Sequence, residues 1–458
     1  MKLLPIFIIA STICSCVILY SSFSLISYEN LVSGPNHQDS THGSSIWTAT
    51  YQQDYESKLS ASLNPLAYKD AEKAFHIRQF YAGLCNQQWR FIGMIFVAMD
   101  NNYKQIIEES VRWKDTYGTD EPMETKRLWD VLHWNSYYPQ LPKFSSFDES
   151  QDVELTFSTQ QKVLNGTQKD SDSTSPLIFE MKEITYRDAK VYEQDSKTFG
   201  QTTHPHALGK KAKELQNKFQ VFFNQLVKTK DMHSSKALAY KTILKGALKP
   251  HPFLQDIIDA KVLSLNQEKS GKGYMTIHLR IEPDMLAQRK ICADVRVLTL
   301  DKILDLIYEK YPEPPIDTVL IMFSRKVMET FDKKSVDPKK EWGLYNNQLL
   351  NRKNLDMLDD LLEKGMYNGR VRVMEAGSEL VQQTHHPYYS TYSAISGAIV
   401  NFFLAVESKI FIGAEISSWS SFVANTRFFR GSLDRSFFYR PTGLVQSTTE
   451  DLPHRFEC

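Results

Sequence analysis

An excess of charge of either sign is missing from this sequence: its 458 residues carry 54 Lys+Arg against 54 Asp+Glu, a formal net charge of zero. No basic field marks a nucleic-acid surface and no acidic excess marks a disordered tail, so no nucleic-acid partner is expected. Cysteine is scarce. Of the five, Cys14 and Cys16 fall in an apolar leader, which leaves Cys85, Cys292 and Cys458 for the rest. An odd number leaves at least one thiol unpaired, and no two of them have the spacing of metal ligands. Repeats at a period of about 20 to 50 residues are absent. Apolar residues at 42% and charged residues at 24% exclude collagen-like, fully disordered and multi-span membrane classes.

Long hydrophobic runs are absent except for one. After Lys2 no charged residue occurs until Glu29, and Leu3 to Tyr28 is mostly Leu, Ile, Val, Phe, Ala, Cys and Ser. That length suits a bilayer span of about 20 residues, whereas a cleaved signal peptide has a shorter apolar region. Length therefore favours a signal anchor, although Cys14-Ser15-Cys16 or Ser21-Ser22 offers a cleavage site. With Lys2 on the cytoplasmic side, the rest of the chain faces the lumen. The expectation is a single-pass type II protein of the Golgi or ER membrane, and the sequon at Asn165 fits a lumenal loop.

At roughly 100 to 200 residues per domain, the length suggests two or three domains. The expected order is an anchor (1–28), a polar stem (29–70), a first domain (71–265) with a polar insertion at about 143–205, a second domain (266–445) and a tail (446–458). Phe75 to Tyr81 reads as a strand, and Trp89, Ile92, Phe96 and Met99 recur at helical spacing beyond a glycine turn. From Gly273 onward the alternation is regular. Strands are expected at Tyr274–Ile281, Asp317–Phe323, Val371–Glu375 and Lys409–Gly413, with helices marked by Leu300–Ile307, Leu355–Leu362, Tyr392–Val406 and Ser420–Phe429. Such spacing requires parallel crossovers, hence a doubly wound α/β domain whose ligands bind outside the carboxyl ends of the strands.

Unusual residues sit at those ends. In Thr276-Ile-His-Leu-Arg-Ile-Glu-Pro-Asp284 the even positions His278, Arg280 and Glu282 place ionisable groups where a central strand is apolar. Arginine suits an anionic leaving group through its permanent charge and forked donors. A surface edge strand with an Arg280–Glu282 ion pair is the plainer alternative. Phe411-Ile-Gly-Ala-Glu-Ile-Ser417-Ser418-Trp419-Ser-Ser421 places serines and backbone N–H groups at a helix start, fit for a phosphate or simply for a cap and a core tryptophan. In Gly83-Leu-Cys-Asn86-Gln-Gln88 a glycine turn opens a helix.

Together and in this order, the three segments resemble the GDP-fucose-dependent O-fucosyltransferases, which include protein-modifying enzymes and a large plant group. The likeness spans about residues 75 to 430 and extends to the plant-like Glu282-Pro-Asp284-Met-Leu-Ala287. It implies a GT-B architecture of two Rossmann-like domains facing a cleft, acting without metal or cofactor on a nucleotide-sugar donor and a protein or polysaccharide acceptor. The one Asp-x-Asp motif, Asp170-Ser-Asp172, lies in the polar insertion. By the resemblance, Arg280 holds the β-phosphate of GDP-fucose, His278 contacts the nucleotide or diphosphate, Ser417, Ser418 and Trp419 line the phosphate pocket, and Asn86 with Gly83 sits at the reacting sugar. The implied reaction inverts a β-linked donor to an α-fucoside. Its base is open between Glu282, Asp284 and the leaving phosphate, because no acid lies between Gly83 and Arg90. The family's aspartate that contacts the nucleotide base is replaced here by Asn401, which admits another donor such as UDP-rhamnose. A noncatalytic, membrane-anchored sugar-binding protein is the remaining alternative. The His385-His386 pair receives no role.

Overall fold

The computed structural model describes residues 49–63, 74–76, 88, 91–92, 95, 99, 104–107, 110–112, 122–144, 235–267, 271–283, 298–339, 341–375, 377–415 and 417–448. Every described residue belongs to one compact unit, residues 45–458. The expected anchor, Gly83, Asn86, Asn165 and Asp284 lie outside the described residues. Among the described residues no helix is long and apolar enough to cross a membrane.

Part of the segment expected to be stem is a helix, α1 (Ala49–Leu63), with Tyr55 and Leu59 buried. Its apolar stripe is only those two residues and the partly buried Leu63, at four-residue intervals, and the polar residues between them hide the period. Next come β1 (Ala74–His76), β2 (Gln105–Ile107), β3 (Ser110–Arg112), β4 (Pro122–Glu124), α2 (Thr125–Leu128), α3 (Val131–Tyr137) and β5 (Lys143–Phe144). Strands β1, β2 and β5 form a parallel sheet in that order, and β3 pairs with β4 antiparallel. Phe144 stacks on Phe91 at 5.7 Å and meets Trp134 edge-on at 5.3 Å. Lys143 and Phe144 thus form a strand, with Phe144 in the core, where the polar insertion was expected from 143; its remainder is outside the described residues.

Helix α4 (Ser235–Thr242) runs into a π turn at Ile243–Ala247, and α5 (Pro252–Asn266) follows, with Pro252 in its first turn and His251 as cap. Then come β6 (Tyr274–His278), α6 (Leu300–Lys310), β7 (Thr318–Met322), α7 (Arg325–Asp332), α8 (Trp342–Lys364), β8 (Arg372–Glu375), α9 (Ser378–Gln383), α10 (Pro387–Thr391), α11 (Ser393–Glu407), β9 (Ile410–Ala414), α12 (Ser418–Phe429), β10 (Ser436–Arg440) and β11 (Gly443–Gln446). They build a six-stranded sheet in the order β11-β10-β9-β6-β7-β8, parallel throughout except for β11.

Alternation along the strands divides the sheet between two cores. Met275, Ile277, Val319, Ile321, Ile410 and Ile412 pack with α6 and α8, while Tyr274, Leu320, Met322, Phe411 and Phe438 pack with α5, α11 and α12. Helix α11 is apolar nearly all round because it is covered on several sides, burying Ile399, Phe402, Leu404 and Val406. The chain starts in the middle of the sheet at β6, moves outward through β7 and β8, then returns to lay β9 and β10 on the other side. The order reverses between β6 and β9, the switch point at which doubly wound sheets place their ligands.

The second of these cores continues across the expected boundary at 265 and 266. Across that boundary the Tyr389 hydroxyl donates to the Arg127 carbonyl at 2.8 Å, and next to it, within the first part, Asp130 N–H donates to the Lys249 carbonyl at 3.0 Å and His251 N–H to the Leu128 carbonyl at 2.8 Å. His251 is wholly buried there between Tyr55 and Tyr389. Burial, then the nearby Arg127 and His386, push its pKa down to about 3. Its neutral form therefore contributes stability that is complete above about 6.5, the unfolded value, and is lost progressively as pH falls toward about 3. Between pH 6.5 and pH 5 the expected loss is about 2 kcal/mol. His251→Asn keeps an acceptor for the Phe253 N–H and should flatten that part of the profile; a urea midpoint whose decline between pH 7 and pH 5 matches the parent would count against it.

Candidate functional site

The site is assembled where β6, β7, β9 and β10 end. Strand β6 was expected to run to Ile281 but stops at His278, since Leu279 N–H makes a last bond to Met322 and Arg280 N–H turns away to the Tyr439 hydroxyl at 2.9 Å. Tyr439 in turn donates to the His278 carbonyl at 3.1 Å. One phenol on β10 thus holds the backbone on either side of Leu279. β6 lies between β9 and β7, so the edge-strand alternative does not apply, although its ion pair is present: Arg280 Nη1 lies 3.0 Å from Glu282 Oε2. Glu282 is buried, and its other oxygen accepts the Ser324 N–H at 3.3 Å, beyond the end of β7. This carboxylate orients Arg280, whose side chain stays 27% exposed.

Against His278, at the end of β6, stands the start of α12. Ser417 is the N-cap, accepting from Ser420 N–H. The buried Ser420 hydroxyl accepts the Ala414 N–H at 3.0 Å and meets His278 Nδ1 at 2.8 Å. Trp419 lies over the His278 ring, centroids 4.4 Å apart at 40°. The Ser418 side chain lies outside the described residues. Burial, with Arg280 second, pushes the His278 pKa down to about 3, so the ring is neutral across the physiological range.

Gly413 explains why the helix can sit so close. A Cβ there would come within 2.6 Å of both Ser420 Cβ and Oγ and 2.8 Å of Phe411 Cζ. Gly413→Ala should lift the first turn of α12 off the sheet, break the His278–Ser420 bond and cost about 1 to 3 kcal/mol, read as a lowered denaturant midpoint. An unchanged midpoint would argue against this packing account.

Along the same edge, Glu375 at the end of β8 receives Arg325 Nε at 2.6 Å, and Arg325 Nη1 reaches Asp359 at 2.8 Å. Burial raises the Glu375 pKa, and Arg325 acts against that rise. Asn401, on α11, lies against Gly377, whose backbone has φ of 83° and whose Cβ, if it had one, would meet the Asn401 amide at 2.5 Å. The Asn401 Oδ1 is buried without a hydrogen-bond partner. His386 caps α10 and packs on Phe253 at 4.6 Å.

The structure therefore brings His278, Arg280, Glu282, Ser417 and Trp419 together and places Asn401 on the helix layer beside the end of β8. Tyr439, Ser324, Ser420 and Gly377 were not found as site residues by sequence reasoning. Tyr439 belongs to an aromatic strand lying beyond the last expected helix, Ser420 lay inside the singled-out serine segment without a role of its own, and Ser324 and Gly377 are helix N-caps with no local signal. A guanidinium, a neutral imidazole and a helix N-terminus converging at a sheet switch point suit a multiply charged anion such as a diphosphate. Among the described residues, no three His, Cys, Asp or Glu side chains are grouped to hold a metal ion.

No protein-family model matches this chain, and no curated protein sequence matches it. Solved structures similar to it include POFUT1 in complex with GDP, 11% identical with a TM-score of 0.42 over 81% of this chain and 99% of that one. Arabidopsis thaliana FUT1 in complex with GDP is 12% identical with a TM-score of 0.39, over 88% of this chain and 82% of that one. NodZ alpha-1,6-fucosyltransferase soaked with GDP-fucose is 9% identical with a TM-score of 0.36, over 82% and 100%. Similarity at this level carries no argument about fold, substrate or mechanism, which rest on the residues above.

Proposed function

We propose that this chain is a nucleotide-sugar glycosyltransferase of GT-B architecture, an O-fucosyltransferase that moves fucose from GDP-fucose to a hydroxyl of a protein or glycan, without metal or cofactor. The observation that carries this reading is Arg280, held by Glu282 just beyond the carboxyl end of the central strand at the switch point, where His278 of that strand meets the first turn of α12. In an inverting transfer the acceptor oxygen bonds to the anomeric carbon as the bond to the β-phosphate breaks, and negative charge gathers on the leaving diphosphate. Arg280 supplies charge and forked donors to it, and the first turn of α12 adds backbone N–H groups. Glu282, occupied by Arg280 and Ser324, acts by orienting Arg280, so the acceptor proton passes to Asp284 or to the leaving phosphate. The enzyme is read as a type II protein, membrane-held through residues 1–28 with its catalytic part in the Golgi or ER lumen.

One observation favours a second donor. Asn401 Oδ1 is an unpaired acceptor, and an amide cannot receive both guanine N–H donors as a carboxylate does. A thermal-shift panel of GDP, UDP, GDP-fucose and UDP-rhamnose separates the two, since a ligand at about 100 times its Kd adds about 2.7 kcal/mol. Stabilisation by GDP and GDP-fucose supports the fucosyl reading, stabilisation by the uridine compounds alone replaces it, and no response to any of the four sinks the glycosyltransferase assignment.

A further inference from the structure

The Ser420–His278 pair has only one consistent arrangement of protons. Ser420 is wholly buried, and its hydroxyl oxygen has two hydrogen-bonding neighbours among the described residues, the Ala414 N–H at 3.0 Å and His278 Nδ1 at 2.8 Å. The backbone N–H can only donate, so it occupies a lone pair of the hydroxyl. The hydroxyl proton then needs an acceptor, because a buried O–H left unpaired is strongly disfavoured, and Nδ1 is the one within reach. A ring nitrogen that accepts carries no proton of its own. In a neutral imidazole the remaining proton must sit on Nε2.

We infer that Ser420 is a positioning residue that fixes His278 as the neutral Nε2–H tautomer, so that the ring offers one hydrogen-bond donor to a phosphate oxygen of a nucleoside diphosphate. The choice of ligand rests on the function proposed above; the tautomer does not. No described residue bonds to Nε2, and it is not among the sealed polar atoms that lack a partner. Trp419 covers one face of the ring, and Tyr439 fixes the strand through the His278 carbonyl. Among the described residues, the groups beside the ring are Trp419 and Ser420 from α12 and Met322, its register partner on β7, all uncharged at neutral pH, with Arg280 as the nearby charge. Burial and Arg280 both oppose a second proton on the ring. This arrangement also removes His278 as a base for the acceptor hydroxyl: Nδ1 is occupied by Ser420 and Nε2 already holds its proton. The contact needs no proton transfer, and among the described residues beside the ring Arg280 supplies the positive charge.

The test uses the full chain labelled with nitrogen-15 histidine and read by long-range proton–nitrogen correlation, with His278→Gln to assign the ring. The expected pattern in ligand-free protein is a protonated Nε2 and an unprotonated Nδ1, unchanged from pH 5 to pH 8. An Nδ1–H pattern, or titration of the ring within that range, overturns the inference whatever the ligand. Ser420→Ala should abolish the fixed pattern and weaken GDP or UDP binding about tenfold; an unchanged tautomer would show that Ser420 does not set it. If that variant fails to fold, the wild-type measurement still decides. Addition of GDP or UDP should shift the Nε2 signal. A fixed Nε2–H that responds to neither nucleotide would refute phosphate recognition and the proposed function while leaving the tautomer standing.

Discussion

Arg280→Lys should lower turnover of the nucleotide sugar by about 10²- to 10³-fold, the loss seen when one preorganised donor to a developing oxyanion is removed. Lysine keeps the charge but has a compact ammonium in place of the fork. Arg280 Nη1 is engaged by Glu282 at 3.0 Å, which orients the guanidinium plane. A lysine drawn to the same carboxylate cannot satisfy both partners with that geometry. The loss should fall on kcat more than on KM for the donor, because the missing interaction strengthens as the phosphate acquires charge. GDP release from GDP-fucose measures it, with or without an acceptor. The lysine variant is cleaner than Arg280→Ala, which would leave Glu282 buried without its counter-charge and destabilise the protein by about 3 to 5 kcal/mol. Turnover within about twofold of the parent by a folded lysine variant would remove Arg280 from the mechanism and take the diphosphate reading with it.

Much of the second half of the fold was legible because its signals are local. Apolar spacing at Leu300, Ile303 and Ile307 marks α6, which runs on to Lys310, and buried strands such as Thr318–Met322 show as short apolar runs. What could not be read depends on distant partners. His278, Arg280 and Glu282 looked like one polar strand face, yet Tyr439, more than 150 positions away, ends the strand between the first two. Gly413 belonged to a motif without a stated reason until Ser420 was found beneath it. Helix α1 was hidden for the opposite reason: two buried residues in a polar segment give a weak stripe, and only packing against α3 and against His251, the cap of α5, reveals the face. The hairpin of β10 and β11 was missed because it follows a helix that looked like the end of the domain, and with it went the phenol that holds the site.

The largest effect on stability is expected at Arg427, which no motif singled out. Its side chain is wholly buried on α12 and donates to the Ser436 hydroxyl at 2.8 Å, to the carbonyls of Val406 and Ser408 at 2.8 and 2.6 Å, and to those of Ala405 at 3.3 Å and Ser432 at 3.2 Å. Those oxygens lie at the end of α11, just before β9, and around the start of β10. One guanidinium therefore ties together the elements that carry the switch point. It also sets a positive charge against the carbonyl end of α11, where the helix dipole favours a cation. Burial lowers its pKa to about 10, which still leaves it charged at neutral pH. Arg427→Met fills much of the space but leaves several buried acceptors without a donor, each costing about 1 to 3 kcal/mol if none relaxes. Part of this is offset because the arginine no longer needs desolvating. A net loss of about 3 to 5 kcal/mol is the expected outcome, and Arg427→Lys should recover only part of it, since three donors on one nitrogen cannot reach oxygens spread around a plane. Urea unfolding at pH 7 measures the loss. Nucleotide binding by the fraction that remains folded should be preserved, because Arg427 touches neither His278 nor Arg280. A methionine variant within about 1 kcal/mol of the parent would mean that these carbonyls find other partners and that the sheet edge does not depend on the arginine.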